Sequence, residues 1–427
     1  MPQTVLPFKL EMTRDTITAH AGLALLGEYL HALDLPRTLD RALPSPGSGA
    51  GYAPSEFVMP LVLMLHGGGR SLEDLRQIRQ DTGLRELLGL DRLPSSDATG
   101  DWLRRVGSGA GLSGLAAANR DLLRRGMKRD GLTAYTLDLD ATQVVAEKKE
   151  AAFTYKGERG YMPIVGHLAE NGLVVGDEFR AGNEAPQSRN LEFIKYCAAQ
   201  MPNGKRIAHV RGDSAAYQAG IFNWCEESVD SFAIGADLDA AVRAAIRAIP
   251  ERDWQPYQDG HIAETAHSME KTKKAFRLIV TRRPLQGDFF EPDDPREKYT
   301  VIASNREESA EQTVAWYNQR GEASENRIKE LKIGFGMERM PCGELSANAA
   351  FFRIGVLAYN TFVLFKVGAL PEECRRHQVQ TIRWRLYQTA GKVVDHARGL
   401  GLKVRRSIYA IFKEVRARSW ECALSSA

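Results

Sequence analysis

Two acidic residues stand where strand-like text stops. Asp140 closes "YTLDLD" and is followed by Ala141 and Thr142; Asp213 closes "RIAHVRGD" and is followed by Ser214 and Ala215. In open α/β sheets, sites form at the carboxyl ends of strands, and small neighbours leave room for a ligand. A third carboxylate from a later helix would complete an oxygen-rich cluster. Such a cluster suits Mg²⁺, a hard cation that takes carboxylates and keeps several waters. Two ions about 4 Å apart activate an attacking oxygen and stabilise the leaving one at a phosphate. Taken singly, either Asp equally fits a turn or a cap. Asp138 lies two residues before Asp140, hence on the same strand face.

The candidate third acid lies in "WYNQRGEASENRIKELK", Trp316 to Lys332. Glu325 precedes Ile328 by three and Lys332 by seven, so the three share one helical stripe, expected to face the sheet. Glu330 falls with Ala323, Asn326 and Arg327 on a stripe expected to face solvent. Glu322 sits beside Gly321, near the expected helix start. Glu325 is therefore selected.

Three other motifs compete. "GAGLSG" (Gly109 to Gly114) matches G-x-G-x-x-G, but a polar helix end precedes it where a dinucleotide fold needs a strand. "HGGG" (His66 to Gly69) with "GDSAA" (Gly212 to Ala216) resembles an esterase oxyanion hole and nucleophile elbow, with Ser214 as nucleophile. Against it, Ala216 replaces the final glycine of the elbow and "HGGG" follows a helical stretch. "EPDDPREK" (Glu291 to Lys298) reads as a solvated turn.

These residues need elements to hold them. Residues 15–130 show apolar residues at three- and four-residue steps, predicting helices. From Leu132 the pattern alternates, and "GYMPIVGHLAE" and "GLVVGDEFRAG" flank Asn171-Gly172, a strong hairpin signal. A helix ("RNLEFIKYCAAQM"), the Asp213 strand, a second helix and the strand "SFAIGA" follow. Strand-like text returns from Trp254 to Asn305, before the Glu325 helix. "SANAAFFRIGVLAYNTFVLFKVGAL" is apolar nearly all round and reads as a buried helix.

The chain has 427 residues, 43% apolar and 26% charged, with a net charge of +3, ordinary for a globular protein. Bulk charge does not announce a nucleic-acid partner. From Pro371 onward, however, twelve Lys and Arg face five Asp and Glu, a basic tail with interspersed aromatics suited to phosphate. Five scattered Cys without C-x-x-C argue against a disulfide framework or zinc knuckle. No apolar run reaches the roughly 20 residues of a membrane helix, and no signal-peptide pattern opens the chain. A cytoplasmic protein without a membrane partner is expected.

Three strands, helix, strand, helix, strand and a Glu-bearing helix is the order of a ribonuclease-H-like fold. With "LDLDAT", "RGDSA" and "WYNQRGEASENRIKELK", the chain resembles the DDE transposases of bacterial insertion sequences. It is most similar to the Tyr-Arg-Glu-Lys signature group of the insertion sequence 1380 type, over about residues 15–400. The resemblance implies an α/β fold with three parts: a helical, DNA-binding region at 1–130, a catalytic core at 131–340 with a β insertion at about 250–305, and a basic, mostly helical region at 341–427. It implies an enzyme that binds inverted repeats, hydrolyses phosphodiester bonds with two Mg²⁺ (Mn²⁺ substituting) and joins the 3′ hydroxyl to target DNA. Asp140, Asp213 and Glu325 would hold the metals, and Tyr317, Arg320 and Lys332 would handle DNA. A homodimer on DNA and a bacterial, nucleoid-associated location are also implied. A non-catalytic DNA-binding remnant is the other alternative. In one respect the sequence departs from the group: four residues, rather than three, separate Arg320 from Glu325.

Overall fold

The computed structural model describes residues 6, 8–47, 49–284, 297–397 and 399–426; the side chains of Arg129, of residues 322–325 and of residues 425–426 lie outside that description. The expected acidic turn at Glu291 to Lys298 falls largely in the undescribed segment 285–296.

The centre is a nine-stranded mixed sheet. Its strands are β1 (Ala134–Ala141), β2 (Ile164–Leu168), β3 (Val174–Glu178), β4 (Arg206–Gly212), β5 (Ser231–Gly235), β6 (Gln255–Tyr257), β7 (Gly260–His267), β8 (Phe276–Pro284) and β9 (Glu297–Ser304). Their spatial order is β6-β7-β8-β9-β5-β4-β1-β2-β3. Strand β4 runs parallel to β1 and to β5, whereas β2 is antiparallel to both β1 and β3. Crossover helices α1 (Asn190–Gln200) and α2 (Ala219–Ser228) make the parallel connections, as parallel pairing requires. The strands expected near 250–305 extend the same sheet, since β9 pairs antiparallel with β5.

Alternation along β1 divides its side chains between two faces. A Cβ on Gly166 would meet Leu137 Cδ1 at 3.0 Å and Cys197 Sγ at 2.8 Å, so the Leu137 face looks toward α1. Asp138 and Asp140 therefore point to the opposite face, covered by helix α3 (Ala310–Lys329). The helix is capped by Ser309, whose Oγ accepts from Gln312 N at 3.3 Å. Its first half rests on a separate apolar cluster of Ala233, Ile262, Ile279, Ile302 and Val314. Four of those five residues come from β5 and the added strands, so the strands beyond β5 build the seat that sets the position of α3.

Helix α4 (Leu345–Gly368) is the apolar helix expected from the sequence. It is the one described helix long and apolar enough to cross a membrane, but 83% of its most apolar window is buried inside the protein. It lies between the sheet and the N-terminal helices. The Asn360 side chain accepts from Val174 N and donates to Val174 O, both at 2.8 Å. This gives the outermost strand β3 the partners a bare edge lacks. "GAGLSG" spans the link after helix Ser96–Gly107 and the first turn of helix Gly111–Gly126, where no strand precedes it. The tail from 371 is not wholly helical. A hairpin of Gly391–His396 and Gly399–Lys403 pairs with Thr16–Thr18, ahead of a last helix, Arg406–Ser426.

Two histidines are locked into this core uncharged. His66 is fully buried and bonded to Tyr387 Oη, Ala358 O and Thr361 Oγ1 at 3.0–3.1 Å. Burial lowers its pKa to about 3. His167 is equally buried, with neither ring nitrogen hydrogen-bonded; burial, then the charges of Arg327 and Arg320, lower it to about 3. The unfolded chain takes up these protons near pH 6.5 and the folded chain does not, so stability falls as pH drops below 6.5. Between pH 7.5 and 5 the expected loss is up to about 2 kcal/mol per histidine. Thermal unfolding at the two pH values measures it, and His167→Phe should flatten the dependence.

Candidate active site

Strands β1 and β4 are in register with Asp138 opposite Arg211. Asp140 and Asp213 each lie two residues further on, at neighbouring strand ends and on one face. Asp140 is half-buried and Asp213 is exposed. Asp213 Oδ1 accepts from Ala215 N at 3.1 Å, which caps the short 3₁₀ turn Ser214–Ala216 and fixes the carboxylate's orientation.

Below them lies a buried ion pair. Asp138 (0% exposed) receives Arg211 (2%) in a two-point contact, Nε to Oδ1 at 2.7 Å and Nη2 to Oδ2 at 2.8 Å. The third arm of the guanidinium, Nη1, donates to Trp316 O of α3 at 2.6 Å. Arg211 and Arg306 both lie over the Trp316 ring, at 4.8 and 4.0 Å from its centre. One charged group thus ties β1, β4 and α3 together directly beneath the two strand-end acids. Arg211, Trp316 and Arg306 were not singled out from the sequence. A signal was there: Asp138 and Arg211 are opposite charges, each two residues before a strand-end acid.

Helix α3 reaches the strand ends through Tyr317 and Arg320, two of the residues expected at the site. Tyr317 Oη donates to Gly212 O at 3.2 Å, and Arg320 Nη2 donates to Leu139 O at 2.6 Å. Each acceptor precedes a strand-end Asp. A Cβ on Gly235, at the end of β5, would meet Tyr317 Oη at 3.0 Å, so glycine leaves space for the phenol. Burial raises the Tyr317 pKa, and the nearby Asp213 adds to it. Lys332 Nζ donates to Gln143 O at 2.8 Å. Burial lowers the Lys332 pKa, with Lys156 adding to the fall while Glu338 and Asp140 oppose it.

Two expected orientations are corrected. Glu330 does not face solvent: Oε1 accepts from Val379 N at 3.0 Å and burial raises its pKa. Arg327 also turns inward, donating to Leu168 O at 3.2 Å and Ala169 O at 2.7 Å beyond β2. The α-helix gives way to a π turn at Glu330–Gly334, and α4 with the Val379 segment covers the surface that a solvent-facing stripe would have needed.

The Glu325 side chain, like that of Glu322, lies outside the described residues. The backbone is continuous helix through Arg320, Glu325 and Lys329, so the surplus residue forms no loop. Among the described residues no three His, Cys, Asp or Glu side chains group as a metal site. The esterase constellation is not assembled around "HGGG": His66 is a buried helical residue whose ring bonds are all made within the core.

A family model described as "Transposase DDE domain group 1" matches residues 6–416. No curated protein matches the chain. Among solved structures, the chain is similar to the piggyBac transposase in a synaptic complex with hairpin DNA. Sequence identity is 10%, the match covers 95% of this chain and 80% of that one, and the TM-score is 0.46, too low to assign a fold.

Proposed function

The chain belongs to the transposase DDE domain group 1 family, and from that premise we propose that it cleaves the ends of a mobile element by phosphodiester hydrolysis and joins the freed 3′ hydroxyl to target DNA. The observation that carries this is that Asp140 and Asp213 each stand two residues beyond the paired Asp138 and Arg211 of adjacent parallel strands, with Tyr317 and Arg320 fastened to the backbone of those same two ends. The order β3-β2-β1-β4-β5 with β2 antiparallel supports a ribonuclease-H-like core, and β6–β9 support an insertion of the insertion sequence 1380 type.

Asp140, Asp213 and Glu325 are the proposed metal ligands. Asp138 is saturated by Arg211 and Glu330 is committed to Val379, which removes the nearest competitors. Glu325 is selected by its spacing in the sequence, three residues before the buried Ile328 and seven before Lys332. An all-oxygen set on rigid strands fits Mg²⁺, with Mn²⁺ substituting. Bound there, two ions would activate the attacking oxygen and stabilise the leaving one. The remaining roles belong to the chain itself: Arg320 offers a planar fork and Lys332 a point charge to phosphates, and Tyr317 presents a ring at the DNA end. Within the helical region, Arg76, Arg79, Arg85 and Arg92 line one groove with Tyr52, and Arg92 stacks on that ring at 4.5 Å; this supports a DNA-facing N-terminal surface. A homodimer on the two DNA ends is proposed from the family resemblance.

The test uses purified chain and supercoiled DNA carrying the element's ends. Nicking and strand transfer should require Mg²⁺ or Mn²⁺ and stop on chelation. Nicking that persists at full rate in chelator would overturn the proposal.

A further inference from the structure

Between β1 and β2 the chain builds a small three-stranded sheet of Val144–Val145, Ala152–Phe153 and Arg159–Tyr161. Its turn carries two aromatic rings with no packing role. Phe153 is 66% exposed and Tyr155 is 65% exposed, while Thr154 between them is buried. Phe153 ends its strand and Tyr155 opens the turn that follows, so the two exposed rings flank the buried Thr154. Lys156 lies 5.7 Å from the centre of the Tyr155 ring.

The turn is held in place. Thr154 N donates to Glu158 O at 2.8 Å and Gly157 N donates to Thr154 O at 2.9 Å. Gly157 has φ +80°, a conformation glycine adopts without strain. Gln143 Nε2 donates to Thr154 Oγ1 at 2.9 Å and to Glu158 Oε2 at 3.1 Å. Gln143 also fixes the turn relative to the candidate site: it is three residues beyond Asp140, and its carbonyl receives Lys332. Lys332 lies within the electrostatic reach of both Asp140 and Lys156.

We propose that this turn is a stacking platform: Phe153 and Tyr155, with Lys156 beside them, receive an unpaired nucleobase of the DNA end whose phosphate lies at Asp140 and Asp213. Every base has a π face, so aromatic stacking of this kind tolerates any sequence, and a neighbouring cation holds the backbone. A fixed turn holds the rings ready, so little order is lost on binding. A second protein copy is a poorer occupant. Two rings of at most about 250 Å² each fall well short of the roughly 800 Å² per partner that a stable interface buries. The platform rests on the proposal that the chain acts on DNA ends.

The test measures binding of the full chain to a duplex with a short frayed end carrying 2-aminopurine, beside a continuous duplex of the same sequence. For Phe153→Ala or Tyr155→Ala, affinity for the frayed end should fall about 10-fold and the fluorescence change on binding should shrink. Affinity for the continuous duplex should stay unchanged, and Tyr155→Phe should restore both signals. Equal affinity and equal fluorescence in the alanine variants would overturn the platform while leaving the proposed function standing. Loss of a DNA-free dimer in those variants, seen by sedimentation, would assign the rings to a second copy and overturn it as well. Absence of all DNA binding by the unaltered chain would overturn both proposals.

Discussion

Asp213→Asn is expected to reduce metal-dependent nicking by roughly 10³-fold or more, and Asp140→Asn by a similar factor. Asparagine keeps the size of the side chain but removes the negative charge that holds a hard cation. Transition-state stabilisation by a bound metal amounts to several kcal/mol, and each 1.36 kcal/mol is tenfold in rate. Stability should change little, because Asp213 is exposed and Asp140 half-buried. Single-turnover nicking, with thermal unfolding as the control, measures both. If nicking survived Asp213→Asn and disappeared in Ser214→Ala, the chemistry would belong to the hydroxyl. The helix acid is tested in the same assay: Glu325→Gln should match the Asp variants, Glu322→Gln should stay near full activity, and Glu330→Gln should act on stability rather than on the Mg²⁺ requirement.

The largest stability loss is expected beneath the site. Asp138→Ala should cost about 3–5 kcal/mol, because it leaves the Arg211 guanidinium buried without its carboxylate. Arg211→Met should cost a similar amount for the converse reason. The double variant, Asp138→Leu with Arg211→Met, removes both charges and should recover most of that stability. Activity should not recover with it. The bond from Arg211 to Trp316 O would still be missing, and with it the clamp that fixes α3 over β1 and β4. Denaturant unfolding gives the coupling energy, and nicking by the double variant separates the two roles. Full activity in the double variant would show that the pair serves stability alone.

Much of the frame was legible because it follows local rules. Asn171-Gly172 joins β2 and β3, with Gly172 at φ +78°, the backbone that a tight hairpin turn demands. Alternation gave β1, and the crossover helices followed from their spacing. That Asp140 and Asp213 stand at the ends of neighbouring strands was legible because each acid follows strand-like text. What escaped was set by partners distant in sequence. Whether Glu330 and Arg327 turn inward depends on the Val379 segment and on carbonyls beyond β2, neither within reach of a helical stripe. That β9 would pair with β5 is a choice between strand edges, which alternation does not decide. The hairpin at Gly391–Lys403 was hidden by its glycines and charges, which depress strand propensity; it forms because Thr16–Thr18, almost the whole chain away, supplies a third strand.

The π turn at Glu330–Gly334 bears on the surplus residue between Arg320 and Glu325. An α-helix keeps count as a screw does: one added residue advances everything after it by about 100°. A π turn closes from i to i+5, here with Phe335 N donating to Glu330 O at 3.0 Å. It takes up one residue more than an α turn spans. Such a turn works as a phase compensator. The dial of residues that α3 presents to the strand ends can be rotated by insertion upstream, while the thread beyond Gly334 re-engages α4 at its old angle. Helix α3 and the core helix α4 are therefore geared separately, and a change in the length of one need not strip the other.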